Sequence, residues 1–169
     1  MAVQIYTGDG KGKTTAALGL ALRAVGAGMR VYFGQFCKYG EYSEIQCLRA
    51  RFPEVTVAQF GSGGFIHGVP SEKEKQCAAA GFAQACAAVQ SGQYDLIVLD
   101  ELMMAVHLEL VAEDAVLELI RTCPQQAELV MTGRYARPAL REAADLVSEV
   151  KCCKHYYDAG LAARTGMER

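Results

Sequence analysis

Near its N-terminus the chain reads Thr7-Gly8-Asp9-Gly10-Lys11-Gly12-Lys13-Thr14-Thr15. The apolar residues 2–6 precede this stretch and have the character of a β-strand, and residues 13–27 follow it with the apolar content of an α-helix. A glycine-rich turn that joins a strand to a helix opening on Gly-Lys-Thr is typical of a P-loop. The sequence therefore predicts a site for the phosphates of a nucleotide.

Each residue type in this stretch suits a phosphate site. Glycines let the backbone N–H groups turn toward phosphate oxygens, and the first turn of the helix adds donors and the positive end of its dipole. We expect Lys13 to contact a phosphate and Thr14 to offer its hydroxyl to Mg²⁺. Thr7 stands where the motif usually has its first glycine, so we expect Gly8 and Gly10 to supply the flexibility instead.

An acidic pair, Asp100 and Glu101, follows the apolar residues 94–99. Ligands of parallel sheets bind at the carboxyl ends of the strands, so this pair is expected to face the P-loop across the sheet. Carboxylate oxygen is a suitable ligand for Mg²⁺. Because acidic residues also cap helices, a purely structural role is the alternative.

Strand-like and helix-like segments alternate along the chain, which predicts an α/β fold with a mostly parallel sheet and helices on both faces. The length of 169 residues fits one domain, residues 1–169. Ser71 is expected to cap a helix and Pro138 to open one. We predict strands over residues 2–6, 30–36, 55–59, 94–99, 128–132 and 146–150, and helices over 13–27, 42–51, 72–90 and 112–122.

Composition excludes several classes of function. The net charge of −2 lacks the basic surplus of a general nucleic-acid-binding protein. No apolar run approaches the roughly 18 residues that span a bilayer, and the N-terminus lacks a signal-peptide pattern, so we expect a cytoplasmic protein without a membrane partner. Five cysteines are scattered, Cys152 and Cys153 are adjacent, and there is no C-x-x-C motif, which favours reduced thiols over disulfides or a metal site.

These residues indicate binding of ATP, or a close analogue, with Mg²⁺. They do not choose between hydrolysis, phosphoryl transfer and less usual chemistry, because fold and phosphate site alone do not specify a reaction.

Further segments resemble one family in particular. Together with the P-loop, they are similar to the P-loop ATP:corrinoid adenosyltransferases, the cob(I)yrinic acid a,c-diamide adenosyltransferase family, in order along essentially the whole chain. The segments are Gln-Phe-Cys-Lys at 35–38, Gly-Phe-Ile-His at 64–67, Val-Leu-Asp-Glu-Leu at 98–102, Thr-Gly-Arg at 132–134, and Lys-His-Tyr-Tyr-Asp-Ala-Gly-Leu-Ala-Ala-Arg-Thr-Gly-Met-Glu at 154–168.

The resemblance implies a RecA-like P-loop domain that acts as a homodimer. It implies transfer of the 5′-deoxyadenosyl group of ATP to the cobalt(I) of a corrinoid, with release of triphosphate, Mg²⁺ as the metal and an electron donor such as a flavoprotein. Cobalt(I) is already a powerful nucleophile, so the protein would align the ribose carbon and stabilise the leaving group. The alternatives are another P-loop phosphotransferase or ATPase, and a non-catalytic protein that binds ATP and a corrinoid.

The resemblance also implies roles for individual residues. Glu101 would be the direct metal ligand, with Thr14 and Asp100 beside it. For Lys38 and Glu41, the alternative to a ligand contact is a solvated charge on a loop. For Arg134, the alternative is a structural ion pair. The residues implied to contact nucleotide or corrinoid are Gly8, Asp9, Gly10, Lys11, Gly12, Lys13, Thr14, Thr15, Lys38, Glu41, Arg134 and Arg164.

Two residues of the 64–67 segment bear on the corrinoid. In the family, aromatic side chains lie below the corrin ring and displace the lower axial ligand, which eases reduction of cobalt. Phe65 matches this role. His67 stands where the family commonly has tryptophan, and the chain contains no tryptophan. We expect Phe65 to be the main wedge and His67 to line the pocket without binding cobalt, with a surface histidine as the alternative.

Overall fold

Six short apolar segments form one sheet in the computed structural model, which describes residues 2–40, 42–63, 66 and 68–168. The strand order is β3-β2-β4-β5-β1-β6, and every neighbouring pair is parallel. The strands are β1 (Val3–Thr7), β2 (Val31–Phe36), β3 (Val55–Phe60), β4 (Leu96–Asp100), β5 (Glu128–Thr132) and β6 (Leu146–Glu149). This arrangement confirms the predicted RecA-like α/β fold.

Helices connect these strands, as the alternating pattern predicts. Ser71 caps α3 with a capping box, in which its side chain and that of Glu74 each bind the other residue's backbone N–H. Pro138 opens α6, where its missing N–H costs nothing. The helices are α1 (Lys13–Gly26), α2 (Ser43–Arg51), α3 (Glu72–Gln90), α4 (Leu102–His107), α5 (Glu113–Thr122) and α6 (Pro138–Ala143), and a short 3-10 helix spans Tyr156–Ala159.

The two faces of the sheet bury separate apolar clusters. On one face, Ala17 and Ala21 of α1 and Ile45 of α2 pack against Phe33 and Val98. The other face carries α3, α4, α5 and α6, whose buried residues contact the opposite side of the same strands. Alternate residues of a strand point to opposite faces, so both faces need apolar side chains, and all six residues of β2 are buried. No helix in the described ranges is long and apolar enough to cross a membrane.

The sheet brings the two predicted ligand-binding segments to one edge. The P-loop follows β1 and Asp100 ends β4, and β5 runs between these two strands. All strands are parallel, so their carboxyl ends meet at this edge. Thr132, the last residue of β5, therefore lies between the P-loop and the acidic pair.

Helix α3 approaches the sheet closely at Gly81. A Cβ atom added there would lie 2.2 Å from Cγ of Phe60, too close for the ring to avoid without backbone movement. Phe60 is itself packed against Phe36, with ring centroids 5.1 Å apart. The absence of a side chain at Gly81 sets the distance between α3 and β3.

We expect Gly81→Ala to lower the free energy of unfolding by about 1–3 kcal/mol, because overpacking forces shifts in a dense core. Gly19→Ala is the control: Gly19 is exposed in α1, and an added Cβ would meet no described atom within 4 Å. This second change should raise the free energy by about 0.5–1 kcal/mol through helix propensity. Urea unfolding measures both, and equal stabilities for the two variants would contradict the packing argument.

Candidate nucleotide-binding site

The P-loop, residues 7–15, turns from β1 into α1 around a buried lysine. Gly12 has φ of +126°, a conformation that favours glycine, immediately before the helix begins at Lys13. The Lys13 side chain is buried, and its Nζ donates a hydrogen bond of 2.7 Å to the carbonyl of Gly10. Burial lowers the pKa of Lys13, and the nearby Glu101 carboxylate acts in the opposite direction. The ammonium is thus held at the inner side of the loop.

The segment after β6 supports the loop from the other side. The N–H of Gly10 donates to the carbonyl of Val150 at 2.8 Å, and the N–H of Val150 donates to the carbonyl of Thr7 at 2.8 Å. Gly8 has φ of +100°, and a Cβ there would lie 2.3 Å from the Val150 oxygen. Close backbone approach therefore requires glycine at this position, whatever the loop binds.

Thr7, which replaces the usual first glycine, is used inside the fold. Its side chain is buried, and its Oγ1 accepts a hydrogen bond of 3.3 Å from the N–H of Ala136, in the loop after β5. The threonine thus links two neighbouring strand ends. This contact gives a structural reason for the departure from the usual motif.

Asp100 lies at the centre of a buried hydrogen-bond network. Its Oδ1 accepts from the hydroxyls of Thr14 and Thr132 at 2.8 and 2.6 Å. Its Oδ2 accepts from Nζ of Lys38 at 2.8 Å and from Nε2 of Gln35 at 3.1 Å. The carboxylate is fully buried, yet both oxygens are satisfied. The structure therefore places Asp100 against the P-loop, as the sequence predicts.

Glu101 follows directly but faces the cavity. Its φ of +58° is unusual for a residue with a side chain, and its N–H donates to Oγ1 of Thr132 at 3.1 Å. Burial raises the pKa of Glu101, and the adjacent Asp100 carboxylate raises it further, while Lys38 and Lys13 act against both effects. A cation bound beside this carboxylate would offset the cost of its burial.

A cavity of about 770 Å³ opens above these groups, within the size range of small-ligand sites. Its positive groups come from three parts of the chain, namely the P-loop, Lys38 after β2 and Arg134 after β5. Arg134 also lines a neighbouring cavity of about 520 Å³ that reaches Gly8. The larger cavity is lined by residues 9–15, Leu18, Lys38, Tyr42, Ser43, Glu44, Glu101, Arg134, His155, Gly166, Met167 and Glu168.

The C-terminal segment folds over the outer side of the P-loop. Nζ of Lys11 donates to the carbonyl of Met167 at 2.8 Å and lies 3.6 Å from the Glu168 carboxylate. Glu168 in turn binds the guanidinium of Arg164 at 3.2 Å and the hydroxyl of Tyr156. Hydrogen bonds from Arg164 and then Tyr156 lower the pKa of Glu168 to about 2.

The structure thus brings most of the predicted site residues to one cavity. The P-loop residues from Asp9 to Thr15, Lys38, Glu101 and Arg134 line it, and Asp100 lies behind Thr14. Arg164 acts through Glu168 at the rim. The predictions for Glu41, Phe65 and His67 lie outside the described residues.

Sequence reasoning missed two residues of the network, Gln35 and Thr132. Gln35 is a polar residue in an otherwise apolar strand, and full burial of such a side chain requires a partner. Thr132 ends the apolar strand β5 just before the Thr-Gly-Arg turn. Both residues could have been predicted, because they are polar residues near the carboxyl ends of apolar strands, and ligands bind at that edge of a parallel sheet.

The oxygen donors at this edge fit Mg²⁺ that arrives with a polyphosphate. Within residues 2–40, 42–63, 66 and 68–168, no group of three or more His, Cys, Asp or Glu could hold a metal ion. Mg²⁺ is commonly bound by one or two carboxylates together with substrate phosphates and water. Thr14 and Glu101 offer hard oxygen to the cavity, and Asp100 lies behind Thr14 with both oxygens paired to protein groups.

Comparison with known proteins identifies the family. The family model described as ATP:corrinoid adenosyltransferase BtuR/CobO/CobP matches residues 1–168. This chain belongs to the ATP:corrinoid adenosyltransferase family. The family and the enzyme class predicted from the sequence are therefore confirmed.

Named relatives agree with this assignment. The corrinoid adenosyltransferase of Pseudomonas aeruginosa is 34% identical over 97% of this chain and 81% of the relative. That of Escherichia coli K12 is 32% identical over 97% of this chain and 83% of the relative. An uncharacterized protein of Nostoc, all2391, is 37% identical over 98% of this chain, which spans only 47% of that longer protein.

A solved structure shares the fold alone. The flagellar accessory protein FlaH from Methanocaldococcus jannaschii superposes with a TM-score of 0.61 at 12% sequence identity, over 88% of this chain and 70% of that one.

We expect Glu168→Gln to loosen the segment that covers the P-loop, because it removes the charge that holds Lys11 and Arg164. Hydrogen exchange at pH 7 should become several-fold faster at the amides of residues 164–168. Glu118→Gln is the control, since it breaks an exposed ion pair with Arg121 on α5.

The pH dependence follows from the lowered pKa of Glu168, about 2. The contact stabilises the segment at pH values above the ordinary pKa of glutamate and weakens as pH falls toward 2. The difference between wild type and Glu168→Gln should shrink over the same range. Equal exchange at pH 7 would contradict the role of Glu168.

Proposed function

We propose that this chain transfers the 5′-deoxyadenosyl group of ATP to the cobalt(I) of a corrinoid and releases triphosphate. The observation that supports this most is the P-loop cavity, with Thr14 and Glu101 at its floor, in a chain of the adenosyltransferase family. Residues 1–169 would form one such domain. A homodimeric state, a cytoplasmic location and an electron donor such as a flavoprotein are part of the proposal and rest on the resemblance.

The protein's first task is to hold the triphosphate, which leaves with about four negative charges. The N–H groups of the P-loop and the start of α1 offer donors, and Lys13 lies directly beneath them. Lys11, Lys38 and Arg134 add positive charge around the same cavity. Groups already in place for the developing charge stabilise a transition state more than they stabilise bound substrate.

The second task is to hold the metal. Thr14 would offer its hydroxyl and Glu101 its carboxylate, while Asp100 positions Thr14 through their hydrogen bond. When bound, Mg²⁺ would neutralise part of the charge on the triphosphate. The raised pKa of Glu101 fits a group whose charge is stabilised by that cation.

The third task is to align the two substrates. Cobalt(I) supplies both electrons of the new cobalt–carbon bond, and the bond between C5′ and the triphosphate oxygen breaks. The cavity must therefore fix the ribose carbon in line with that oxygen and exclude water. Phe65 as the wedge below the corrin ring, and His67 as a pocket residue that does not bind cobalt, remain predictions.

The leaving group tests the proposed reaction. With ATP, Mg²⁺ and chemically reduced cob(I)alamin, we expect one triphosphate for each cobalt alkylated, followed by the visible spectrum and by ion chromatography. ADP or orthophosphate as the stoichiometric product would instead support a phosphotransferase or ATPase. Unchanged ATP with a bound corrinoid would support a binding protein. Lys13→Ala should slow triphosphate release by about tenfold to a hundredfold through loss of a charge-assisted contact.

Glu101→Gln should weaken the Mg²⁺-dependent activity, because a neutral amide is a poorer metal ligand. We expect a higher Mg²⁺ concentration for half-maximal rate and partial recovery at excess Mg²⁺. Glu44→Gln, which changes a carboxylate elsewhere on the same cavity, is the control.

Unfolding separates this metal effect from damage to the fold. The folded-state pKa of Glu101 is raised, so its ionised form opposes folding above the ordinary pKa of glutamate. Glu101→Gln should therefore be at least as stable as wild type at pH 7 by urea unfolding. A variant that is both less stable and indifferent to added Mg²⁺ would refute the assignment.

A further inference from the structure

Lys38 holds its ammonium between two residues of the proposed metal site. Nζ of Lys38 lies 2.8 Å from Oδ2 of Asp100 and 3.2 Å from Oγ1 of Thr14. The Lys38 side chain is 20% exposed and that of Asp100 is 0% exposed, so solvent screens this contact little. Lys38 lies just beyond β2, on the floor of the same cavity as the P-loop.

The Lys38 ammonium occupies a position on the Thr14 hydroxyl oxygen that a metal ion could also use. A hydroxyl has one hydrogen to donate and two lone pairs to accept with. The hydrogen of Thr14 goes to Oδ1 of Asp100 at 2.8 Å, and the Lys38 ammonium takes up a lone pair. A metal ion needs a lone pair of the same oxygen. The ammonium occupies one of the two lone-pair directions of Thr14, so a cation bound through the other would lie directly beside it.

Charge adds to this competition. A second cation beside the ammonium would be repelled at contact distance in a poorly screened site. Asp100 and Glu101 attract either cation, and Glu44, which lines the same cavity, attracts the Lys38 ammonium less strongly than these two carboxylates do. Repulsion between the two cations therefore favours one cation at a time next to Thr14.

We propose that Lys38 is a positioning residue that holds its ammonium beside Thr14 and Asp100 until a metal triphosphate binds, and that the metal then takes its place. On exchange, the Lys38 side chain turns into the cavity and its ammonium binds the triphosphate. The inference rests on the proposed function only in assuming that metal and triphosphate enter together.

Two consequences follow from this exchange. Metal alone binds poorly, because it must displace the Lys38 ammonium from Asp100 while no triphosphate is bound to replace that partner. Triphosphate supplies the new partner for Lys38, so metal and triphosphate each strengthen the binding of the other. Either the Lys38 ammonium or the metal thus stands beside the buried Asp100 carboxylate at every stage, and the metal site is reserved for nucleotide-bound metal.

The exchange predicts that loss of the Lys38 charge raises the affinity for Mn²⁺ alone and lowers the affinity for tripolyphosphate. Lys38→Met should bind Mn²⁺ alone about tenfold more tightly than wild type, measured by the electron paramagnetic resonance signal of free Mn²⁺. In the presence of Mn²⁺ the same variant should bind inorganic tripolyphosphate about tenfold more weakly, by calorimetry. Lys11→Met is the matched control: it also lines the cavity but contacts Met167, so it should weaken tripolyphosphate without strengthening Mn²⁺.

Salt concentration separates direct exchange from a general charge effect. The gain in Mn²⁺ affinity should persist between low and high KCl, because a buried contact is screened little. The proposal would be overturned if Lys38→Met left the Mn²⁺ affinity unchanged, or if Lys11→Met raised that affinity equally. It would also be overturned if the gain in Mn²⁺ affinity disappeared in high salt, or if Lys38→Met bound tripolyphosphate as tightly as wild type. Should Lys38→Met fail to fold because Asp100 has lost its cationic partner, Lys38→Gln keeps a donor without the charge and is read in the same way. None of these measurements involves adenosyl transfer, so they can succeed where the proposed reaction fails.

Discussion

The Asp100 carboxylate lies where solvent does not reach, and much of the site is arranged around it. Removing a carboxylate from water costs several kcal/mol unless its oxygens are paired. Here the partners come from the P-loop, from β2 and the residues after it, and from the end of β5. One side chain thus holds four parts of the chain in register at the carboxyl edge of the sheet. The P-loop is positioned by this pairing as much as by its own glycines.

The need to pair buried carboxylate oxygens also explains why the adjacent acids Asp100 and Glu101 have different roles. Asp100 points inward and is satisfied by protein groups, whereas Glu101 turns outward through a left-handed backbone conformation held by the hydroxyl of Thr132. One acid therefore builds the site, and the other is presented to whatever enters the cavity. Two adjacent carboxylates of identical chemistry differ because their backbones differ.

The sequence predicts those parts of the molecule that local patterns encode. The apolar strands, the P-loop, helix α3 over Glu72–Gln90 and strand β5 over Glu128–Thr132 follow from periodicity and capping, and the structure confirms their bounds closely. Helix α4 was missed because six residues are too few to display a helical period. The pairing of Gln35 with Asp100, and of Lys11 with Glu168, joins residues far apart in the chain. Such contacts depend on tertiary packing and leave little trace in local sequence.

The support of the P-loop by Val150 has a consequence for how the protein is made. The phosphate-binding motif leaves the ribosome before its backbone partner at Val150 and before its cover at Glu168. Strand β1 must also wait for β5 and β6 before it has neighbours on either side. The nascent chain therefore carries an open glycine-rich segment and unpaired strand edges until these later residues emerge, the condition under which chains aggregate. The backbone contacts that Val150 makes with the loop can assist nucleotide binding only after residue 150 has emerged.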